Sequence, residues 1–194
     1  MSPQSSNIIF NRNIIKEAIE KIAQTVSTDI PHPEIPDELF EIFVYLPELF
    51  QDGDEERYIE ALSLAMQTSY ENGLYQFAYM QYHMLFMTAI YFVLLKLYVL
   101  HHDEMEQALY YLLKDRYNEF FGKENTKDGQ LYFGSFAAIG ESDVFKLLHI
   151  VGMDTNLEGE LKKLVKERND YAHANGRLLL TSEEFFLGQS FFSW

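Results

Sequence analysis

Met84-Leu85-Phe86-Met87-Thr88-Ala89-Ile90-Tyr91-Phe92-Val93-Leu94-Leu95-Lys96-Leu97-Tyr98-Val99-Leu100 is apolar except at Thr88 and Lys96. With the extension that begins at Leu74 it forms the longest apolar segment of the chain, and its reading decides the fold. A run of this length approaches a membrane span, yet it also suits the centre of a helical bundle. The flanks favour the bundle: Gln76, Gln81 and His83 lie on the extension, Lys96 interrupts the run, and no lysine or arginine cluster marks an inside face. Tyr75, Tyr79, Met80, Tyr82, Met84, Met87 and Tyr91 read as packing positions rather than a cofactor pocket. The expectation is therefore an all-α bundle of six to eight helices around this long central helix, with no membrane embedding.

Working outward, Ile8, Ile15, Ile19, Ile22 and Val26 recur at helical intervals, and the prolines at 31, 33 and 36 exclude a helix after them. This divides the chain into an N-terminal helix and proline-rich linker (1–36) and a bundle (37–194), together one compact domain. Asp37 can cap a short helix that Pro47 ends or kinks. Asp52-Gly53-Asp54-Glu55-Glu56 lacks the later ligands of a calcium loop and reads as the acidic first turn of a helix running from Arg57 to Asn72. His101-His102-Asp103-Glu104 reads as a polar helix junction, because adjacent side chains diverge and cannot converge on a metal. A helix is expected from Glu104 to Phe121, then a long surface loop from Lys123 to Gly140 with a strand-like edge at Leu131-Tyr132-Phe133. Ser142 should cap a short helix to Val151, and Thr181-Ser182-Glu183-Glu184 is a capping box opening a last helix through Phe192. The aromatic end Phe191-Phe192-Ser193-Trp194 is expected to pack on the body or on a second subunit.

The chain has no cysteine, which excludes disulfides and thiolate metal sites. Its opening residues lack the basic and apolar regions of a secretory signal, so a cytoplasmic location is expected. The net charge of −15 opposes nucleic-acid binding in general, since phosphate neutralisation needs a basic footprint. One stretch departs from that balance. Between Leu161 and Gly176, Lys162, Lys163, Lys166 and Arg168 face only Glu167 and Asp170, and Arg177 follows.

That stretch closes an amphipathic run beginning near Leu157 and stopped at Asn175-Gly176. Arg168 and His173 thus lie near the C-terminal end of a helix, with Asn169 and His173 stacked on one face. Arginine offers a planar fork for phosphate oxygens, and histidine trades protons near neutrality. The plain alternative makes Arg168 a surface residue partnered by Asp170, and His173 a cation favoured by the helix dipole.

Arg168-Asn169-x-x-x-His173 resembles the signature of the HEPN family (higher eukaryotes and prokaryotes nucleotide-binding domains): an arginine, a polar residue, a short spacer and a histidine. The resemblance implies a helical bundle that pairs as a homodimer, with the motif helix at the interface and two Arg/His motifs lining one cleft. It implies a metal-independent endoribonuclease needing no cofactor, a hydrolase-type activity set in toxin–antitoxin pairs or antiphage defence, restrained by an antitoxin or regulatory partner. His173 would act as general base or acid, Arg168 would hold the scissile phosphate, and Asn169 would position the histidine or the substrate. Lys162, Lys163, Lys166 and Arg177 would bind the RNA, and Tyr171 would stack on a base. The products would be a 2′,3′-cyclic phosphate and a 5′-hydroxyl. A catalytically silent HEPN-like scaffold binding a nucleotide, RNA or protein is the alternative, and a plain membrane-associated helical protein ranks behind both.

Overall fold

The computed structural model describes residues 53–173 and 178–187. The N-terminal helix, the linker, the boundary at residue 36, Arg177, the Asn175-Gly176 stop and the aromatic C-terminal end lie outside the described residues. Seven α-helices occur among the described residues: α1 (Gly53–Glu71), α2 (Tyr75–Leu100), α3 (His102–Leu113), α4 (Tyr117–Phe120), α5 (Glu141–Val144), α6 (Thr155–Ala172) and α7 (Ser182–Leu187). Three-residue to seven-residue 3₁₀ segments join several of them, and no strand is present in this part of the chain. The protein is an all-α bundle built around one long apolar helix.

α2 is that helix, and it separates two apolar clusters. On one side Tyr75, Ala78, Tyr79, Tyr82 and Leu85 meet Ile59, Met66 and Tyr70 of α1 and Phe185 of α7. On the other, Phe86, Met87, Tyr91 and Leu94 meet Met105 and Leu109 of α3, Val165 of α6, and Phe136 and Phe145 of two 3₁₀ segments. A helix embraced from both sides must be apolar nearly all round, which is why its sequence also resembles a membrane span. It is long and apolar enough to cross a bilayer, and 56% of its most apolar window is buried inside the fold. Where α2 meets α1, burial and the neighbouring Tyr75 push the Tyr70 hydroxyl up to about 12.

The acidic run does form the first turn of α1, with Asp54, Glu55 and Glu56 at the positive end of its dipole. His101 joins α2 to α3, and its backbone N–H donates to the Leu97 carbonyl at 2.7 Å. Three expectations need correction. The helix expected from Glu104 to Phe121 breaks at Lys114, whose φ of 51° lies in the left-handed region. The face Met105, Leu109, Leu113 ends there, and the redirected chain seats Phe120 in the core. The loop from Lys123 to Gly140 is no strand at 131–133: Phe133–Ala138 is a 3₁₀ segment with Ser135 and Phe136 buried. Before it, Asp128 and Gly129 (φ 51° and 78°) form a tight turn closed by hydrogen bonds between Lys127 and Gln130. Finally, the cap expected at Ser142 lies two residues earlier, at Gly140, and the helix it opens, Glu141–Val144, passes into a 3₁₀ segment over Phe145–Val151.

Candidate functional site

α6 begins where its sequence dictates. Gly152 adopts φ 86° and ends the preceding 3₁₀ segment, and the Asp154 carboxylate accepts from the N–H groups of Asn156 and Leu157 at 2.7 and 2.8 Å. Leu164 and Val165 are buried against the body. At its far end, Gln76 Nε2 of α2 donates to the Tyr171 carbonyl at 2.7 Å, and the Tyr171 ring lies edge-on to Tyr79 with centroids 5.5 Å apart. The motif end of α6 is therefore pinned to the central helix.

The motif residues then take different directions. His173 caps α6, donates its backbone N–H to the Asn169 carbonyl at 3.1 Å, and is exposed. Asn169 and Tyr171 are half-buried. Arg168 turns inward: its Nη2 donates to Glu141 Oε2 at the start of α5, and its side chain is 20% exposed. The same oxygen of Glu141 faces His83 Nε2 of α2 at 3.3 Å, with His83 only 6% exposed. An ionised carboxylate only accepts, so His83 Nε2 carries the hydrogen in this contact. The partner of Arg168 is thus Glu141 rather than Asp170, and no hydrogen bond or ion pair among the described residues joins Arg168 to His173.

The result is a His83–Glu141–Arg168 relay with three helices contributing one residue each. Burial by itself raises the Glu141 carboxyl, but the hydrogen bond and charge of His83 and then the charge of Arg168 outweigh it, holding the group below its ordinary range. Burial, followed by the Glu141 charge, pushes the nearby Tyr91 hydroxyl up to about 12, so it stays a protonated donor. The Arg168 Nε and a carboxylate oxygen of Glu167 are buried without an acceptor or donor among the described residues.

Sequence reasoning found Arg168 and missed its neighbours. His83 reads only as a polar interruption of an apolar helix, and Glu141 as one acid among many. A histidine on the face that otherwise buries Tyr79, Tyr82 and Phe86 was the available signal, because buried imidazoles need a partner. Of the expected RNA-binding lysines, Lys163 and Lys166 are exposed, while Lys162 pairs with Glu158 one turn back along α6. Glu158 also takes His149 Nε2 at 2.7 Å, and His149 Nδ1 faces the Met153 carbonyl at 2.6 Å. Both acceptors lack hydrogens, so only the doubly protonated ring satisfies them together. The Glu158 contact accordingly raises the His149 pKa.

The chain matches no protein-family model, no curated protein and no solved structure.

Proposed function

We propose that the chain is a metal-independent endoribonuclease of HEPN type. The observation that carries this reading is the Arg168-Asn169-x-x-x-His173 motif at the pinned end of a capped helix, with the histidine open to solvent. His173 removes the ribose 2′-proton or protonates the leaving 5′-oxygen, and Arg168 neutralises charge that develops on the phosphate. Asn169, one turn before His173, orients the ring or a phosphate oxygen. Lys162, Lys163 and Lys166 guide the strand along α6. Two copies pairing through the ends of α6 add their basic residues in one cleft, which offsets the acidic body and supplies two motifs per site. A toxin or antiphage role under an inhibitory partner fits such an activity.

The reading is tested by RNA cleavage in EDTA with the wild-type protein, Arg168→Ala and His173→Ala. Cleavage that persists in chelator and is lost in both variants supports it. Equal cleavage by all three places the activity elsewhere and sinks the assignment.

A second reading, a catalytically silent HEPN-like scaffold, draws on a specific observation. Glu141 already neutralises Arg168, in a chain of net charge −15. RNA or nucleotide binding that leaves the RNA intact under every condition favours it.

A further inference from the structure

We propose that Glu141 is an internal latch: its carboxylate occupies the anion-binding position of Arg168 and yields it to a phosphodiester. The inference rests on the ribonuclease reading for the identity of the anion, and on the geometry of the ion pair for the latch.

Arginine presents five N–H donors, and its strong carboxylate pairs engage two of them in parallel. Here Glu141 supplies a single oxygen to a single nitrogen, Nη2, and shares that oxygen with His83. Arg168 Nε is buried and has no acceptor among the described residues. The pair is thus electrically complete and under-bonded. A phosphate carries more oxygens than Glu141 offers, so it satisfies donors the carboxylate leaves idle. In the closed arrangement Arg168 and Glu141 cancel, and the motif end of α6 exerts little pull on an anion.

The latch can open without unfolding the body. Glu141 is the first residue of the four-residue α5 and follows Gly140. Val144 and Phe145 behind it are fully buried, which fixes the backbone and leaves the motion to the glutamate side chain. That side chain is 29% exposed, so it can rotate toward solvent. The charged and titratable groups facing it are His83 and Tyr91 from α2 and Arg168 from α6. A partner that draws the glutamate aside would switch the site on.

The test is binding of a fluorescent, uncleavable 2′-O-methyl RNA oligonucleotide to the full chain, read by anisotropy, with cleavage of the matching RNA followed in parallel. Glu141→Gln removes the competing charge at nearly constant shape and should tighten binding by up to about fivefold, the upper end for a partly exposed charge pair. The gain should vanish in Glu141→Gln/Arg168→Ala. Unchanged or weaker binding by a cooperatively melting Glu141→Gln overturns the latch, as does a gain that survives loss of Arg168. Should Glu141→Gln fail to fold, Glu141→Asp keeps the charge but shortens its reach and should give a smaller gain in the same direction; no gain there overturns the proposal. Arg168-dependent tightening without any cleavage would defeat the ribonuclease reading and leave the latch standing. Arg168-dependent cleavage without tightening would do the reverse.

Discussion

Replacing Phe185 by alanine tests whether the short last helix belongs to the core. Phe185 is fully buried, with its ring 5.1 Å from that of Tyr70 and 6.5 Å from that of Tyr75. The six described residues of α7 are too few to persist by helix propensity alone. Among its further supports is a capping box, in which Glu184 N–H donates to Thr181 Oγ1 at 3.1 Å while Glu184 Oε2 accepts from Thr181 N–H at 3.3 Å. Truncating a buried phenylalanine costs about 3–5 kcal/mol. α7 can detach rather than enclose a cavity, so the loss is bounded by its docking energy and should fall near the lower figure. For a chain of this size that is a fall in Tm of roughly 6–12 °C. Thr181→Ala should cost about 1 kcal/mol, the worth of a cap. The assay is denaturant unfolding at equilibrium, and a reduced m-value in Phe185→Ala would report that α7 has already separated. A loss below that of Thr181→Ala, at unchanged m, would refute the seating of Phe185 between Tyr70 and Tyr75.

Three further predictions follow from particular groups. Because the folded-state pKa of Glu141 is lowered by His83 and Arg168, its stabilisation is present above the unfolded carboxylate value and lost as pH falls through the folded one; the acid-side decline in denaturation midpoint should be shallower in Glu141→Gln. His149 has a raised pKa, so its contribution is complete below the unfolded histidine value and lost as pH rises through the folded one; an NMR titration should show its midpoint falling toward the ordinary value in Glu158→Gln. Lys114 sits at φ 51° and ψ −114°, a region costly for any residue with a Cβ, and Lys114→Gly should stabilise the fold by about 1 kcal/mol, read as a shifted unfolding midpoint.

The fold was legible where local chemistry decides it. The apolar run from Met84, the acidic turn of α1 and the Thr181/Glu184 box are all signals that act within a few residues. Lys114 and the 3₁₀ segment at Phe133–Ala138 were not legible: no glycine or proline stands at the Lys114 break, and Gly134 with its polar neighbours reads as surface loop rather than as a buried 3₁₀ turn. Packing imposes both. Ending the α3 face at Leu113 lets Phe120 reach the core, and the loop after Gly122 is drawn inward by Phe136, which a reading based on its polar residues treats as surface.

The candidate site divides in the same way. Helical spacing relates Arg168, Asn169 and His173 in the sequence, whereas Glu141 lies 27 residues from Arg168 and 58 from His83. No periodicity connects such positions; only the docking of α5 and α6 on α2 does. Composition nonetheless carries a general warning about the arginine. With 30 acidic residues to 15 lysines and arginines, a half-buried guanidinium has carboxylates within reach from several elements, and leaving it unpaired is expensive. A short motif identifies the cation but not its state of neutralisation, and that state decides whether the cation is available to a ligand. In an acidic chain the carboxylate that reaches the motif is therefore part of the site's chemistry, and mutating it is as informative as mutating Arg168 or His173.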